Sequence, residues 1–292
     1  MKELVIISGK GGTGKTTLTA SFAALAKNAV VADCDVDAAD LHLLLHPEIR
    51  YREEFKSGLT AVIDQEKCIK CGKCREVCRF DAVGQDYHID KLACEGCSVC
   101  FHLCPEHAID MRENVCGEWY RSSTKYGPMV HAKLNAAEEN SGKLVAIVRQ
   151  QAKKLAEEQQ KSLLLIDGSP GIGCPVISSI AGTNLVLVVT EPSLSGKHDL
   201  QRVAELTAHF HIPTAVCVNK SNINQAITDQ IKAYCAEQEI SFVGEIPYNP
   251  VVVKALIQRT PLVEFSQGNT AQTLKQVWQQ LEQQLNSSKS EG

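Results

Sequence analysis

Long apolar runs are absent from this sequence. The longest, residues 185–189, has only the length of a strand, whereas a membrane-spanning helix needs roughly 20 apolar residues. The apolar stretch at residues 1–7 is also too short for a signal peptide. We therefore expect a soluble, cytoplasmic protein without a membrane-spanning segment.

An excess of positive charge is absent as well. The chain has 30 Lys and Arg against 34 Asp and Glu, with a net charge of -4 at pH 7. Such a surface offers no basic field to collect phosphates, so we expect no nucleic-acid partner. The amphipathic C-terminal segment carries only Lys275 before its Ser/Lys tail. This composition favours a packed last helix over a membrane anchor.

Short apolar runs alternate with segments of helical periodicity over most of the chain. Five runs have the length of buried strands: 4–7, 29–32, 163–166, 185–189 and 214–218. This alternation predicts an α/β fold with a doubly wound, mostly parallel sheet. It is interrupted between about residues 60 and 112. We expect a discontinuous main domain, 1–59 and 113–292, with an inserted domain at 60–112.

Cysteines dominate the interruption. Eight of the 13 cysteines fall between positions 68 and 104, and they form two runs of the pattern C-x2-C-x2-C-x3-C. The sequence repeats itself at a constant offset of 26, so that Cys68 aligns with Cys94, Cys78 with Cys104 and Ala82 with Ala108. This repeat indicates a duplicated half-module.

Both runs match the bacterial ferredoxin pattern, in which the fourth cysteine ligates the other cluster. The pattern therefore predicts two [4Fe–4S] clusters in a small α+β ferredoxin-like domain. Their ligands are Cys68, Cys71, Cys74 and Cys104 for the first, and Cys94, Cys97, Cys100 and Cys78 for the second. Zinc is the alternative for C-x2-C pairs, but the regular third and fourth cysteines argue against it. Arg79 departs from the pattern, which has proline after the fourth cysteine, as in Pro105.

A glycine-rich loop follows the first apolar run and precedes the first helical segment. It matches G-x-x-x-x-G-K-[ST], the P-loop, in its required context. Backbone amides of such a loop cradle phosphates, Lys15 reaches the terminal phosphates of ATP, and Thr16 binds Mg²⁺. The predicted phosphate-binding residues are Gly9, Gly11, Gly12, Thr13, Gly14, Lys15, Thr16 and Thr17.

Lys10, a second lysine in this loop, makes it resemble the deviant Walker motif of the MinD, ParA, Mrp and nitrogenase iron protein group. With the two cysteine runs, the chain is similar to members that carry an inserted ferredoxin domain. In that group the corresponding lysine contacts the phosphates of a partner subunit. The resemblance therefore implies an ATP-dependent homodimer in which Lys10 is catalytic.

The resemblance also implies roles at the ends of later strands. Asp35 or Asp37 would position the attacking water, although Asp37 is also suited to cap a helix. Asp167 would hold Mg²⁺ through water, and Gly171 would contact the γ-phosphate. Asn219 would bind the adenine edge, unless it is a turn asparagine, and Pro247 would form a wall of the base site.

Five cysteines lie outside the runs: Cys34, Cys116, Cys174, Cys217 and Cys235. Most are expected to be buried core residues. Cys174 follows Asp167 by seven positions, which resembles the spacing to a cluster-binding cysteine of the nitrogenase iron protein. It is either a ligand of a cluster shared between subunits, with Cys116 as a possible unmatched second ligand, or a buried residue of the following helix.

Three functions are compatible with these motifs. The first is an ATPase whose dimer rearrangement is coupled to electron transfer through two clusters to a redox partner protein. The second is an ATPase that assembles or carries a metallocluster for a client protein. The third, a positioning ATPase, is least favoured because redox centres are present.

Overall fold

The architecture is that of a computed structural model that describes residues 1–135 and 140–287. The strands are β1 (Lys2–Ser8), β2 (Ala29–Asp33), β3 (Glu48–Ile63), β4 (Ile109–Thr124), β5 (Gly127–Leu134), β6 (Leu163–Pro170), β7 (Leu185–Thr190), β8 (Thr214–Asn219) and β9 (Ser241–Ile246). The helices are α1 (Lys15–Leu25), α2 (Leu41–Leu45), α3 (Lys73–Val77), α4 (Val99–Leu103), α5 (Ser141–Glu158), α6 (Cys174–Ile180), α7 (Leu194–His209), α8 (Gln225–Glu237), α9 (Val251–Ile257), α10 (Leu262–Phe265) and α11 (Asn269–Ser287). A 3₁₀ turn spans Ser221–Ile223.

The strands form one sheet in the order β3-β4-β5-β2-β6-β1-β7-β8-β9. The pairs β2–β5, β2–β6, β1–β6, β1–β7, β7–β8 and β8–β9 are all parallel. The predicted α/β fold with a mostly parallel sheet is confirmed. Because carboxyl ends of parallel strands meet at one edge, β1, β2, β6 and β8 end near one another, and the nucleotide motifs follow these strands.

The main hydrophobic core lies between the sheet and the helices that cover it. Strands β1, β6 and β7 are almost entirely buried and apolar. Helix α11 buries Leu274, Trp278 and Leu281, and it packs against β9 and α1. The rings of Trp278 and Phe22 have centroids 5.3 Å apart. The C-terminal segment is therefore a packed helix of the core.

The chain divides into two compact units. The first comprises Met1–Glu53, Trp119–Lys133 and Ser141–Gly292, and the second comprises Glu54–Glu118 and Leu134–Asn140. The second unit contains both cysteine runs. Its small core consists of Ala61, Ile63, Val83 and Ile109, against which six of the run cysteines pack. Within the described part of the chain, no helix combines the length and apolarity required to cross a membrane.

Candidate nucleotide and cluster sites

The loop between β1 and α1 depends on glycine conformations. Gly12 and Gly14 have φ values of 79° and 95°, a region that side-chain-bearing residues avoid. A Cβ at Gly14 would also collide with the amide of Asn219, and one at Gly9 would collide with Asp199. These glycines thus permit the left-handed turns and the close packing that this loop requires.

Lys15, the first residue of α1, is buried among carboxylates. Its Nζ lies 3.1 Å from Asp35 Oδ2 and 3.0 Å from Asp167 Oδ1. Thr19 Oγ1 donates to the same Asp167 oxygen at 2.9 Å. Burial alone would lower the pKa of Lys15, but the surrounding carboxylates outweigh that effect and raise it above its ordinary value. The ends of β2 and β6 and the start of α1 therefore meet in one charged cluster.

Asp33 belongs to this cluster, although the motifs did not single it out. It is directly opposite Asp167 in the parallel register of β2 and β6, and only 1% of it is exposed. Burial, with the neighbouring charge of Asp167, raises the pKa of Asp33 well above its ordinary value. Sequence periodicity could have suggested it, because a carboxylate that ends a buried strand lies in the ligand crevice of such a sheet.

The polar atoms here fit a magnesium nucleotide. Asp33 Oδ2, Asp167 Oδ2 and Thr13 Oγ1 are buried and have no hydrogen-bond partner among the described residues. Lys15 Nζ also donates weakly to Thr16 Oγ1 at 3.4 Å. Oxygen ligands of this kind, together with phosphates and water, are what Mg²⁺ prefers.

Asp37 and Gly171, two other predicted site residues, lie outside the cluster of carboxylates around Lys15. Asp37 is exposed, in a turn after Asp35, and does not cap α2, whose N-cap is Asp40. Gly171 has a φ of 93° and donates its amide to Ser8 O at 2.8 Å. The backbone after β6 is thereby joined to the end of β1, beside the phosphate loop.

A cavity of about 180 Å³ lies beside the phosphate loop. Gly14, Asn219, Pro247, Tyr248 and Leu256 are among its lining residues. Asn219 Nδ2 donates to Thr13 O at 2.7 Å, and Asn219 Oδ1 accepts from the amide of Lys220 at 2.9 Å. These contacts, within the described part of the chain, leave one N–H and one lone pair of the Asn219 amide group for a ligand.

Lys10 points toward β7 and the start of α7. Its Nζ lies 2.6 Å from Glu191 Oε1 and 3.0 Å from Ser195 Oγ. Lys220 Nζ lies 3.1 Å from Glu191 Oε2. Partial burial favours the neutral acid, but hydrogen bonds from the two lysines prevail and lower the pKa of Glu191. The motifs did not indicate Glu191, because this contact arises only from the tertiary fold.

The cysteine-rich unit contains a small pocket. Cys68, Cys71, Cys74 and Cys104 all line it, together with Pro105. The fold therefore brings three cysteines of the first run together with the fourth cysteine of the second run.

The two halves of this unit repeat each other in detail. The amide of Ala82 donates to Cys78 Sγ at 3.4 Å, and that of Ala108 to Cys104 Sγ at 3.3 Å. Asp64 N donates to Ala108 O at 2.7 Å, while Asp90 N donates to Ala82 O at 2.8 Å. Each half therefore donates a backbone hydrogen bond to the other half. This arrangement is compatible with a cluster that takes its fourth cysteine from the other run.

The donor set of this pocket consists of thiols. Those of Cys68, Cys71, Cys74 and Cys104 all line it. In a cubane the four thiolates bind different irons, so they surround the cluster. The residues present are therefore of the kind that a [4Fe–4S] cluster uses.

The remaining cysteines divide into two groups. Cys34, Cys116, Cys217 and Cys235 are buried, as expected. Cys116 donates its thiol to Ser57 O at 3.0 Å. Cys174, however, is exposed at the first position of α6, so the alternative that it is a buried residue of this helix is wrong. The chain turns into α6 there, and Gly142 packs beside its Cβ.

Comparison with known proteins gives matches of two kinds. Residues 4–262 match the CobQ/CobB/MinD/ParA nucleotide binding domain. An uncharacterized protein of Methanocaldococcus jannaschii is 32% identical over 290 residues, covering 96% of each chain. An uncharacterized ferredoxin of the same organism is 38% identical over 55 residues, covering 16% of this chain and 71% of the ferredoxin.

The fold is also similar to solved structures. The septum site-determining protein MinD of Pyrococcus horikoshii, complexed with Mg-ADP, superposes with a TM-score of 0.59 at 16% identity. The match covers 100% of this chain and 99% of that one.

Proposed function

Because the chain belongs to the CobQ/CobB/MinD/ParA family of nucleotide-binding proteins, we propose that it is a MinD-type ATPase with two [4Fe–4S] clusters. ATP binding and hydrolysis would rearrange a homodimer and thereby control electron transfer to a partner protein. One observation carries this proposal: a nucleotide-binding fold shares its chain with a cavity lined by the cross-run set Cys68, Cys71, Cys74 and Cys104.

In the nucleotide site, each residue has a distinct task. The loop amides and the N-terminus of α1 would bind the phosphates. Lys15 would leave Asp35 and Asp167 for the terminal phosphate, since a phosphate supplies the charge that these carboxylates now provide. Asp167 would then hold Mg²⁺ through water, and Asp35 would be free to position the attacking water.

In the second unit, the cysteine thiolates would hold the two clusters, whose contribution when bound is reversible one-electron chemistry. The second set would be Cys94, Cys97, Cys100 and Cys78. The amides of Ala82 and Ala108 already donate to the sulfurs of Cys78 and Cys104. Such hydrogen bonds disperse negative charge on the thiolates and help to set the reduction potential.

Coupling between the two sites can be measured without knowing the partner protein. If MgATP favours one redox state, then linkage requires that MgATP shifts the midpoint potential of the clusters. The experiment is an anaerobic potentiometric titration followed by electron paramagnetic resonance, with and without MgATP, in the wild type and in Lys15→Ala. We expect a shift in the wild type only. Equal potentials with and without MgATP would contradict thermodynamic coupling.

A cluster carrier is the second candidate, and the exposed thiol of Cys174 favours it. In that case the dimer would bind iron beyond the two ferredoxin-type clusters and release it to an apo-protein. Iron that dissociates on ATP hydrolysis would distinguish this function from electron transfer.

A further inference from the structure

Glu191 has no part in the phosphate or base contacts described above, yet it binds two lysines beside them. Its Oε1 is 2.6 Å from Lys10 Nζ, and its Oε2 is 3.1 Å from Lys220 Nζ. The Glu191 side chain is 22% exposed. The two ion pairs are therefore partly shielded from water and are stronger than pairs on an open surface.

The hydroxyl groups that follow β7 complete the environment of Lys10. Its Nζ donates to Ser195 Oγ at 3.0 Å and to Ser193 Oγ at 3.4 Å. Ser193 Oγ is itself fixed, because it accepts the amide of Gly196 at the start of α7 at 3.0 Å. An ammonium group has three N–H donors. Glu191 and the two serines occupy all three within the same chain.

Lys220 extends the arrangement to the phosphate loop. Its Nζ donates to Gly12 O at 3.0 Å while it pairs with Glu191. One carboxylate therefore joins the end of β7 to Lys10, to Lys220 and, through Lys220, to the loop backbone. The charge on Glu191 is retained at neutral pH, since the lysines lower its pKa.

We propose that Glu191 is a positioning residue that holds Lys10 and Lys220 in the nucleotide-free chain and that ATP-dependent dimerisation must first release Lys10 from it. This inference rests on the proposed function, in which Lys10 contacts the phosphates of a second subunit. Only the population with a free Lys10 is competent to dimerise, so Glu191 raises the ATP concentration that dimerisation requires.

The first test measures the contact itself, without nucleotide. Surface amines are acylated with an N-hydroxysuccinimide ester, and the rate at each lysine is followed by mass spectrometry. Acylation requires the amine to leave its ion pair. In Glu191→Gln and Glu191→Ala, Lys10 and Lys220 should react at least about threefold faster than in the wild type. Glu264→Gln is the matched control, since Glu264 pairs with Lys125 at 2.8 Å and not with Lys10.

The second test measures whether the contact between Glu191 and Lys10 opposes dimerisation. Sedimentation velocity is recorded over a series of MgATP concentrations. The concentration for half-maximal dimerisation should fall about fivefold in both Glu191 variants and remain unchanged in the control. The inference is overturned if Lys10 reacts at the wild-type rate in both variants, or if the midpoint is unchanged while the wild type dimerises. A wild type that stays monomeric at saturating MgATP contradicts the proposed dimer instead, and the acylation rates then decide whether Glu191 holds Lys10.

Discussion

Asp33, the last residue of β2, lies directly opposite Asp167 of β6, and both side chains are buried. Each has one carboxylate oxygen without a hydrogen-bond partner among the described residues. Lys15 is in direct contact with Asp167, whereas its attraction to the charge of Asp33 acts over a longer distance. Three carboxyl groups, those of Asp33, Asp35 and Asp167, share the one ammonium group of Lys15, and a divalent cation would neutralise the excess negative charge. The site is therefore suited to a magnesium nucleotide.

Asp33→Asn should raise the melting temperature of the nucleotide-free protein by about 2–4 °C at pH 7.5. The asparagine side chain keeps an oxygen that can accept the hydrogen bond which Asp35 N donates to Asp33 Oδ1 at 3.2 Å. The substitution also removes a buried carboxylate. Because the pKa of Asp33 is raised on folding, its ionisation destabilises the folded state increasingly as pH rises above the unfolded pKa of about 3.9. The gain should therefore shrink at pH 5. Differential scanning calorimetry at both pH values measures it, and a lower melting temperature at pH 7.5 would contradict this account.

Lys15→Ala should weaken MgATP binding by at least about 100-fold, because the terminal phosphates lose their cation. The brown absorbance expected of the clusters should persist, since their ligands belong to a separate compact unit. Calorimetric titration measures the affinity, and the exposed Lys27 supplies a control variant, Lys27→Ala. Wild-type affinity in Lys15→Ala would refute the assignment of the nucleotide site.

Much of this fold follows from the sequence, for a physical reason. Strands such as β1, β6 and β7 are buried on both faces, so they are continuous apolar runs that stand out from the helices. Strand β3 was not indicated, because most of its residues are exposed and several are charged. The duplicated cysteine pattern was visible because metal ligation requires fixed local spacing.

The residues of the candidate sites fall into two groups, those that belong to a local sequence motif and those that only the tertiary fold brings to the site. The phosphate loop and the cysteine runs are local motifs, so their residues could be named in advance. Asp33 was not named, although its place at the end of a buried strand could have suggested it. Glu191 could not be named in advance, since its importance comes from contacts between distant segments. The alternative that Cys174 is buried was wrong because it relied on the general tendency of free cysteine to be buried, which does not show where the first residue of a short helix lies.

Lys10→Ala should bind MgATP with nearly wild-type affinity but should not dimerise with it. Lys10 lies outside the buried carboxylate cluster and contacts Glu191, Ser193 and Ser195 instead. Its removal leaves Lys15 and its partners in place. Sedimentation velocity with and without MgATP measures the association, and Lys197→Ala is a suitable control on α7. Dimerisation of the Lys10 variant at wild-type ATP concentrations would exclude the cross-subunit role.

Anaerobically purified protein should contain about eight irons per chain, as two cubanes require. A double substitution tests cross-ligation directly. Cys71→Ser with Cys104→Ser removes two ligands of one proposed cluster and should leave about four irons. Cys71→Ser with Cys78→Ser removes one ligand from each cluster and should disturb both. The reverse pattern would mean that each run holds its own cluster, and zinc without iron would refute the redox function.

Cys174→Ser should leave the iron content, the sulfide content and the spectra of the MgATP-treated protein unchanged. Cys174 is exposed at the first position of α6, and electron transfer through the ferredoxin-type clusters does not require it. The same position makes it a reporter, because a dimer that forms over this region would shield it. Iodoacetamide should therefore alkylate Cys174 rapidly in the nucleotide-free wild type and more slowly with MgATP, whereas Lys10→Ala should show no protection. Iron above about eight per chain that disappears in Cys174→Ser would instead favour the cluster carrier, since two ferredoxin-type clusters account for only eight.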